Sequence, residues 1–348
     1  MLLALPLALV ACQPRTPQSV TETPIAPASP TGPSVQLYGA GATFPSFIYL
    51  RWFEDYRRQR PNIEISYQPI GSAAGLQQVA NETVDFGGSD VAPTADFIAK
   101  VPRGLVLIPA TAGSVAVVYN LPDIGPGLKL DRRVLPDIFL GKITRWNDPK
   151  ITALNPDRTL PNLPITLVHR SDGSGTTQVF TAHLSAISPA WQTQVGTGLT
   201  VQWPAGVGIK DNAGISAQIQ QEPGSIGYVE YAFAKQLNLA TAALQNRAGQ
   251  FVQPTPAATA KGLATIQLSE TLAGSVPDPD GADVYPVVTY SWILAYQRYE
   301  QPDKAKALRE MLQWALTEGQ TLGPELGYVP LPPEVAARAV AAAKTIEP

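Results

Sequence analysis

The residues best suited to hold an anion lie in Arg170-Ser171-Asp172-Gly173-Ser174-Gly175-Thr176. Ahead of them Ile165-Thr166-Leu167-Val168 is a β-branched apolar run that predicts a strand. Behind them Val179, Phe180, His183, Leu184 and Ile187 recur at helical spacing. The loop therefore sits where a strand turns into a helix. Its glycines let the backbone approach a ligand, Ser174 and Thr176 offer hydroxyls, and the first helix turn offers unpaired N–H groups with a partial positive charge. Arg170 adds a planar five-donor fork that suits a tetrahedral oxyanion. The plainer alternative is a common Asp-Gly turn followed by a Ser or Thr helix cap. Repetition favours the ligand, because the chain builds similar devices three more times.

Val35-Gln36-Leu37-Tyr38 predicts a strand that runs into Gly39-Ala40-Gly41-Ala42-Thr43-Phe44-Pro45. Pro45 suits a first helical position, and Ile48, Tyr49, Trp52, Phe53 and Tyr56 then form a one-sided apolar stripe that belongs to a core. The alternating Ile63-Glu64-Ile65-Ser66-Tyr67 feeds Gly71-Ser72-Ala73-Ala74-Gly75, where Ser72 is expected to cap a helix. Val84-Asp85-Phe86-Gly87-Gly88-Ser89-Asp90 is a further strand ending in glycines, with Pro93 expected to open a short helix. Asp90 is the odd member, a carboxylate among anion-binding devices; its plain alternative is a helix cap.

The elements that must position these loops are those of an α/β protein. A chain of 348 residues suggests two lobes. Two long apolar runs, Leu105 to Tyr119 and Val284 to Tyr296, are candidates for the two crossings between them; Pro109 and Gly113 make the first too interrupted for a membrane span. Gly206 to Ile215 reads as a loop before a helix from Ser216 to Gln221, and Gly224 to Val229 as a turn and strand. Lys304 to Leu316 and Pro333 to Ala343 read as closing amphipathic helices. The net charge is −3 with no basic run, which argues against a nucleic-acid partner. Two histidines and one cysteine give no spacing for a metal and no disulfide within the chain, so no cofactor is expected. His169 and His183 read as packing or surface residues. No Gly-Lys-Ser/Thr follows a glycine loop, which excludes a Walker-type nucleotide site.

Residues 1–11 are apolar, and Leu9-Val10-Ala11-Cys12 reads as a lipobox, with Cys12 the lipidation site. Residues 12–34 then form a tether, Gln13 to Ser34 holding six prolines, which cannot build a core. A secretory signal needs a basic leading region, and residues 1–11 contain no Lys or Arg. The expectation is a signal peptide whose true start lies upstream.

Taken together, Gly39-Ala-Gly-Ala-Thr-Phe-Pro45, Gly71-Ser72, Asp85-Phe86-Gly87 with Ser89-Asp90, and Arg170-Ser-Asp-Gly-Ser-Gly-Thr176 resemble the phosphate-binding protein of bacterial ABC-type phosphate importers. The resemblance runs from about Val35 to the C-terminus and includes Asn212-Ala-Gly-Ile215 and Gly224-Ser-Ile-Gly-Tyr228. It implies a two-lobe periplasmic-binding-protein fold of type II, with a two-pass hinge and the ligand in the interlobe cleft. Residues 35–112 plus 282–348 would form lobe 1, and 113–281 lobe 2. It implies phosphate contacts from Thr43, the Phe44 N–H, Ser72 and Asp90 on one side. On the other side it implies Arg170, Ser174, the Gly175 N–H and Thr176, with Asp172 holding Arg170 in place. The expected protein is a monomer and not an enzyme. It sits on the extracytoplasmic face of the membrane, touches the bilayer only through Cys12, and serves an ABC permease and its ATPase subunits. Two alternatives keep other chemistry: an envelope phosphoester hydrolase using Ser174 or Thr176 as nucleophile, and a receptor for another tetrahedral oxyanion. The first lacks a general base or metal cluster, with His169 the only candidate and turned away by strand alternation. The second is opposed by Asp90.

If Cys12 carries acyl chains, each buried CH₂ contributes about 0.8 kcal/mol to membrane attachment. Fatty-acid labelling of cells should mark the wild type and not Cys12→Ser; equal labelling of both would contradict the anchor.

Overall fold

The computed structural model describes residues 34–348; Cys12 and almost all of the proline-rich tether lie outside them. Strand β1 (Val35–Gly41) pairs in parallel with β2 (Ile63–Pro69) along its whole length. Parallel neighbours need a crossover, and α1 (Ser46–Gln59) supplies it, burying Ile48, Tyr49, Trp52, Phe53 and Tyr56 as the apolar stripe requires. On the other side of β1 lies β3 (Phe86–Ser89), also parallel, reached through α2 (Ser72–Ala80). A Cβ on Gly75 of α2 would fall 2.5 Å from the Gly41 Cα and within 2.9 Å of two main-chain oxygens of β1 and β3. Backbone cannot give way there, so only glycine lets the first turn of α2 rest on the ends of these strands. That seating brings Ser72 beside Asp90.

After the short α3 (Ala95–Ile98) comes β4 (Leu105–Tyr119), buried along nearly all its length. The chain then builds its second half. Its first part holds β5 (Lys129–Leu130), α4 (Val134–Phe139), α5 (Pro149–Thr152), β6 (Thr166–Arg170), α6 (Gly175–Ile187), α7 (Pro189–Gln194) and β7 (Val207–Ile209). Next come α8 (Asp211–Gln221), β8 (Ser225–Glu230), α9 (Tyr231–Gln236), β9 (Ala240–Thr241), β10 (Ala243–Gln245), β11 (Phe251–Val252) and α10 (Pro256–Leu263). β12 (Val288–Tyr296) returns to the first half, followed by α11 (Pro302–Leu316), α12 (Gly323–Leu326) and α13 (Pro333–Lys344).

The strand order β2-β1-β3-β12-β4-β8-β6-β7 makes β4 the shared element. From Leu105 to Ser114 it pairs antiparallel with β12, and from Val115 to Tyr119 with β8. The Val115 N–H donates to the Val287 carbonyl at 2.9 Å, just ahead of β12, so the outward and return crossings run side by side. Pro109 cannot donate to the ladder. Trp292 stands opposite Pro109 and Ser291 opposite Thr111, which leaves Ala110 as the extra residue of a β-bulge. The two apolar runs thus serve as the two passes between the halves of an α/β fold.

Local expectations differ from the structure at helix starts. Ser72 does not cap α2: Gly71 does, with φ of 96°, and Ser72 becomes its first residue with its side chain turned to Asp90. The helix expected from Ser216 begins at Asp211, whose carboxylate accepts the Gly214 N–H at 2.6 Å and supports a start with few apolar residues. Pro93 opens no helix; α3 starts two residues later, where the Thr94 hydroxyl accepts the Phe97 N–H at 3.3 Å.

Candidate functional site

Arg170 ends β6 with its guanidinium buried, the side chain 1% exposed. Its Nε donates to Asp172 Oδ1 at 2.7 Å, and Nη2 pairs with Asp172 Oδ2, which makes the bidentate geometry that a guanidinium fork favours. Its Nη1 is buried and has no hydrogen-bond partner among the described residues. Asp172 is held in turn by the Asp211 N–H at 3.2 Å. Burial alone would raise the Asp172 carboxyl, but the hydrogen bonds and charge of Arg170 outweigh it and keep Asp172 below the usual carboxylate range. The Arg170 N–H donates to the Tyr228 hydroxyl, which also bonds Thr177 at 2.6 Å, while the Tyr228 ring stacks on Phe180 with centroids 4.5 Å apart. The end of β6 and the start of α6 are thereby tied to β8.

Ser174 caps α6, its oxygen accepting the Thr177 N–H at 3.1 Å. A hydroxyl that accepts one bond still has its own proton to donate, so the cap and an anion-binding role are compatible. Gly175 and Thr176 are the first residues of α6, and both are buried.

The first half brings its three loops to the same place. Thr43 and Phe44 follow β1, where the Phe44 carbonyl accepts from the Tyr328 hydroxyl at 2.8 Å and the Ala42 carbonyl from the Tyr67 hydroxyl at 2.9 Å. The Ser72 oxygen accepts the Asp90 N–H at 3.2 Å, and its hydroxyl faces Asp90 Oδ2 at 3.4 Å. A Cβ on Gly175 would meet Ser72 Oγ at 2.5 Å and Asp90 Oδ2 at 2.8 Å. The Ala73 N–H donates to the Gly173 carbonyl at 3.0 Å. The two halves are therefore in contact, with Thr43, Ser72, Asp90, Arg170, Ser174, Gly175 and Thr176 gathered around one spot and Phe44 at its edge.

Further polar residues complete this cluster, none of which the sequence reading assigns to the site. Ser291 of β12 donates to Asp90 Oδ1 at 2.8 Å, and Thr289 to the Asp90 carbonyl at 3.1 Å. Asn212 of α8 bonds Thr43 and Thr176, and Glu230 ends β8 fully buried with Oε1 unpartnered. Ser291 interrupts the apolar run of β12 and Glu230 closes that of β8, a polar residue in each case being the only signal; the helix start hid the role of Asn212.

Burial dominates the electrostatics. It pushes the Asp90 carboxyl up from 3.8 to about 7, against the lowering pull of the Ser291 hydrogen bond, the Arg170 charge and Ser72. It also pushes Glu230 well above its ordinary value, with Asp90 adding in the same direction. A carboxyl near neutrality beside a guanidinium suits an oxyanion that still carries a proton. Neither histidine is placed to serve Ser174 as a base. The His169 Nδ1 lies 3.2 Å from the Arg170 carbonyl and its ring stacks on Trp203, while His183 Nδ1 donates to the Pro277 carbonyl at 2.9 Å. No group of metal-ligating side chains occurs among the described residues.

A family model described as a PBP superfamily domain matches residues 27–318. The phosphate-binding protein PstS of Pasteurella multocida is 45% identical over 312 residues, covering 89% of this chain and 90% of that relative. The chain belongs to the PstS family. An archaeal PstS, from Methanocaldococcus jannaschii, is 39% identical over 325 residues, covering 85% of this chain and 82% of its own. Among solved structures, the periplasmic phosphate-binding protein PfluDING bound with phosphate has a TM-score of 0.70 at 20% identity, covering 88% of this chain and 93% of that one. A phosphate ABC transporter substrate-binding protein from Clostridium perfringens has a TM-score of 0.63 at 16% identity, covering 86% and 100%. At such identities the likeness establishes the periplasmic-binding-protein fold, which the sequence reading expected.

The raised Asp90 value fixes a pH dependence for the PstS-type site without ligand. Unfolded Asp ionises near 3.8 and folded Asp90 at about 7, so the folded form holds an extra proton between those values. Stability is full below the lower value and is lost as pH rises through the upper one. Glu230 acts with the same sign and is itself raised by Asp90, so comparison with Asp90→Asn reads Asp90 together with its effect on Glu230. The loss is on the order of a few kcal/mol. In urea unfolding without ligand, Asp90→Asn should gain on the wild type as pH is raised, reaching its largest advantage at about pH 8. A stability difference that does not change with pH would contradict this origin.

Proposed function

We propose that this protein captures inorganic phosphate outside the cytoplasm and hands it to an ABC-type importer, with two lobes closing on a dehydrated anion. The observation that carries the proposal is a buried Arg170 with one nitrogen unspent, set in the same cluster as a buried Asp90 whose carboxyl titrates at about 7. Arg170 supplies the positive charge, and the turns that open α1, α2 and α6 supply N–H groups and hydroxyls. The contacts to phosphate are Thr43, the Phe44 N–H, Ser72 and Asp90 from one lobe, and Arg170, Ser174, the Gly175 N–H and Thr176 from the other. Asp172 holds the guanidinium and does not touch the ligand. The family membership supports the choice of phosphate, since the relatives named above are phosphate-binding proteins.

The lobes comprise residues 35–112 plus 282–348 and residues 113–281, a division supported by the change of partner along β4 from β12 to β8. The protein acts as a monomer, held at the extracytoplasmic face of the membrane by lipid on Cys12, and its partners are the permease and ATPase subunits of the importer. The Pro-rich tether of residues 12–34 supports that placement by giving the lobes reach from the bilayer.

Discrimination rests on a proton. Phosphate keeps at least one proton near neutral pH and donates it to the Asp90 carboxylate in a short charge-assisted bond. Sulfate has none to give, so two anionic groups would face each other where water cannot screen them. Asp90→Asn removes that repulsion and offers an N–H. The ratio of phosphate to sulfate affinity, measured for both proteins at one pH and ionic strength, should fall in the variant. A ratio that stays the same or rises would place discrimination elsewhere.

A further inference from the structure

Among the described residues, the side chain of Asn212 reaches hydroxyls on both sides of the site, those of Thr43 and Thr176. It lies in the first turn of α8, fully buried, and its main-chain carbonyl accepts the Ser216 hydroxyl at 2.8 Å. Its Oδ1 accepts the Glu230 N–H at 3.0 Å. A backbone N–H can only donate, so this contact fixes which end of the amide is oxygen and turns the NH₂ the other way. There it donates to Thr43 Oγ1 at 2.8 Å and lies 3.4 Å from Thr176 Oγ1.

Both N–H donors of the amide are thus engaged by protein, so none is left to give to an anion, and its oxygen is turned to the Glu230 N–H. What Asn212 changes is the threonines. A hydroxyl has one proton and two lone pairs. With a lone pair of each threonine occupied by an Asn212 N–H, the remaining proton is free to point at an anionic oxygen. Without that donor, each hydroxyl is free to rotate and to present a lone pair to the anion.

We propose that Asn212 is a positioning residue for phosphate. It orients the Thr43 and Thr176 hydroxyls as donors to the ligand and, by bridging from the second lobe to Thr43 of the first, makes that orientation conditional on closure. The inference rests on the phosphate-receptor reading of this site and adds to it the residue that sets hydroxyl direction. Asn212 does so through one amide whose own orientation is set by the first N–H beyond the apolar run of β8.

The test is a double-mutant cycle read by calorimetric titration of phosphate into ligand-stripped protein. Asn212→Ala and Asn212→Asp are made in the wild type and in the double variant Thr43→Val, Thr176→Val. Asn212→Asp keeps an acceptor for the Glu230 N–H while losing the donor, so it reports even if the alanine variant folds poorly. In the wild-type background either change should weaken phosphate binding about 10- to 100-fold, as for loss of a hydrogen bond to a charged partner. In the valine background Asn212→Ala should weaken binding about twofold or less, because the hydroxyls it orients are gone; a purely structural role would give the same loss in both. Equal losses in the two backgrounds, or no loss in the wild type, would overturn the inference while wild-type binding of phosphate upholds the receptor reading. Failure of the wild type itself to bind phosphate would instead remove that reading, and this inference with it.

Discussion

One buried guanidinium with a nitrogen to spare sets the terms for the rest of this molecule. A charge taken out of water is costly unless it is paired and hydrogen-bonded. Arg170 satisfies most of that demand through the two-pronged contact with Asp172 and leaves Nη1 for something else. Holding the fork still takes several elements. The start of α8 steadies Asp172 through the Asp211 N–H, and β8 provides Tyr228, which accepts the Arg170 N–H and bonds Thr177. The order β8-β6-β7 puts these supports on either side of the strand that carries Arg170. The second half of the fold is in this sense a mount for one cation.

The first half supplies the opposite pole. Asp90 stands at the end of β3, with β12 beside it donating through Ser291 and Thr289. Its carboxyl is raised mainly by burial, to about 7, so near neutral pH it is partly ionised, and its carboxylate form needs a proton or a cation beside it. Neither pole alone would choose among oxyanions. A guanidinium attracts all of them, and a buried carboxyl repels those that carry no proton. The side-by-side crossings near Val115 and Val287 join the halves where β4 changes partner, and both poles bear on one small volume.

How much of this could be read beforehand followed from how local the cause was. The loops at Thr43, Ser72, Asp90 and Arg170 to Thr176 were legible because strand, glycine, hydroxyl and helix follow one another within a dozen or so residues. The crossings were legible as the two long apolar runs, which the structure shows to be β4 and the segment ending in β12. The roles of Asn212 and Ser291 were not, since their contacts with Thr43 and Asp90 span 169 and 201 positions; the chain itself marks Asn212 only as part of a familiar Asn-Ala-Gly-Ile and Ser291 only as a polar break in an apolar run. Glu230 was missed for a related reason: a polar residue closing the apolar run of β8 is visible, but nothing along the chain shows that its side chain stays inside. The early start of α8 escaped because Asp211 supports it with its own carboxylate, in a stretch that lacks helical periodicity.

In the proposed receptor these two buried groups act together on a protonated tetrahedral oxyanion. The decisive measurement is calorimetric titration of the wild-type protein, freed of any bound ligand by partial unfolding and refolding. Phosphate should bind saturably with one site per chain, and excess sulfate present throughout should leave that isotherm nearly unchanged. Sulfate that competes on equal terms, or phosphate that releases no saturable heat at any temperature tried, would contradict the account.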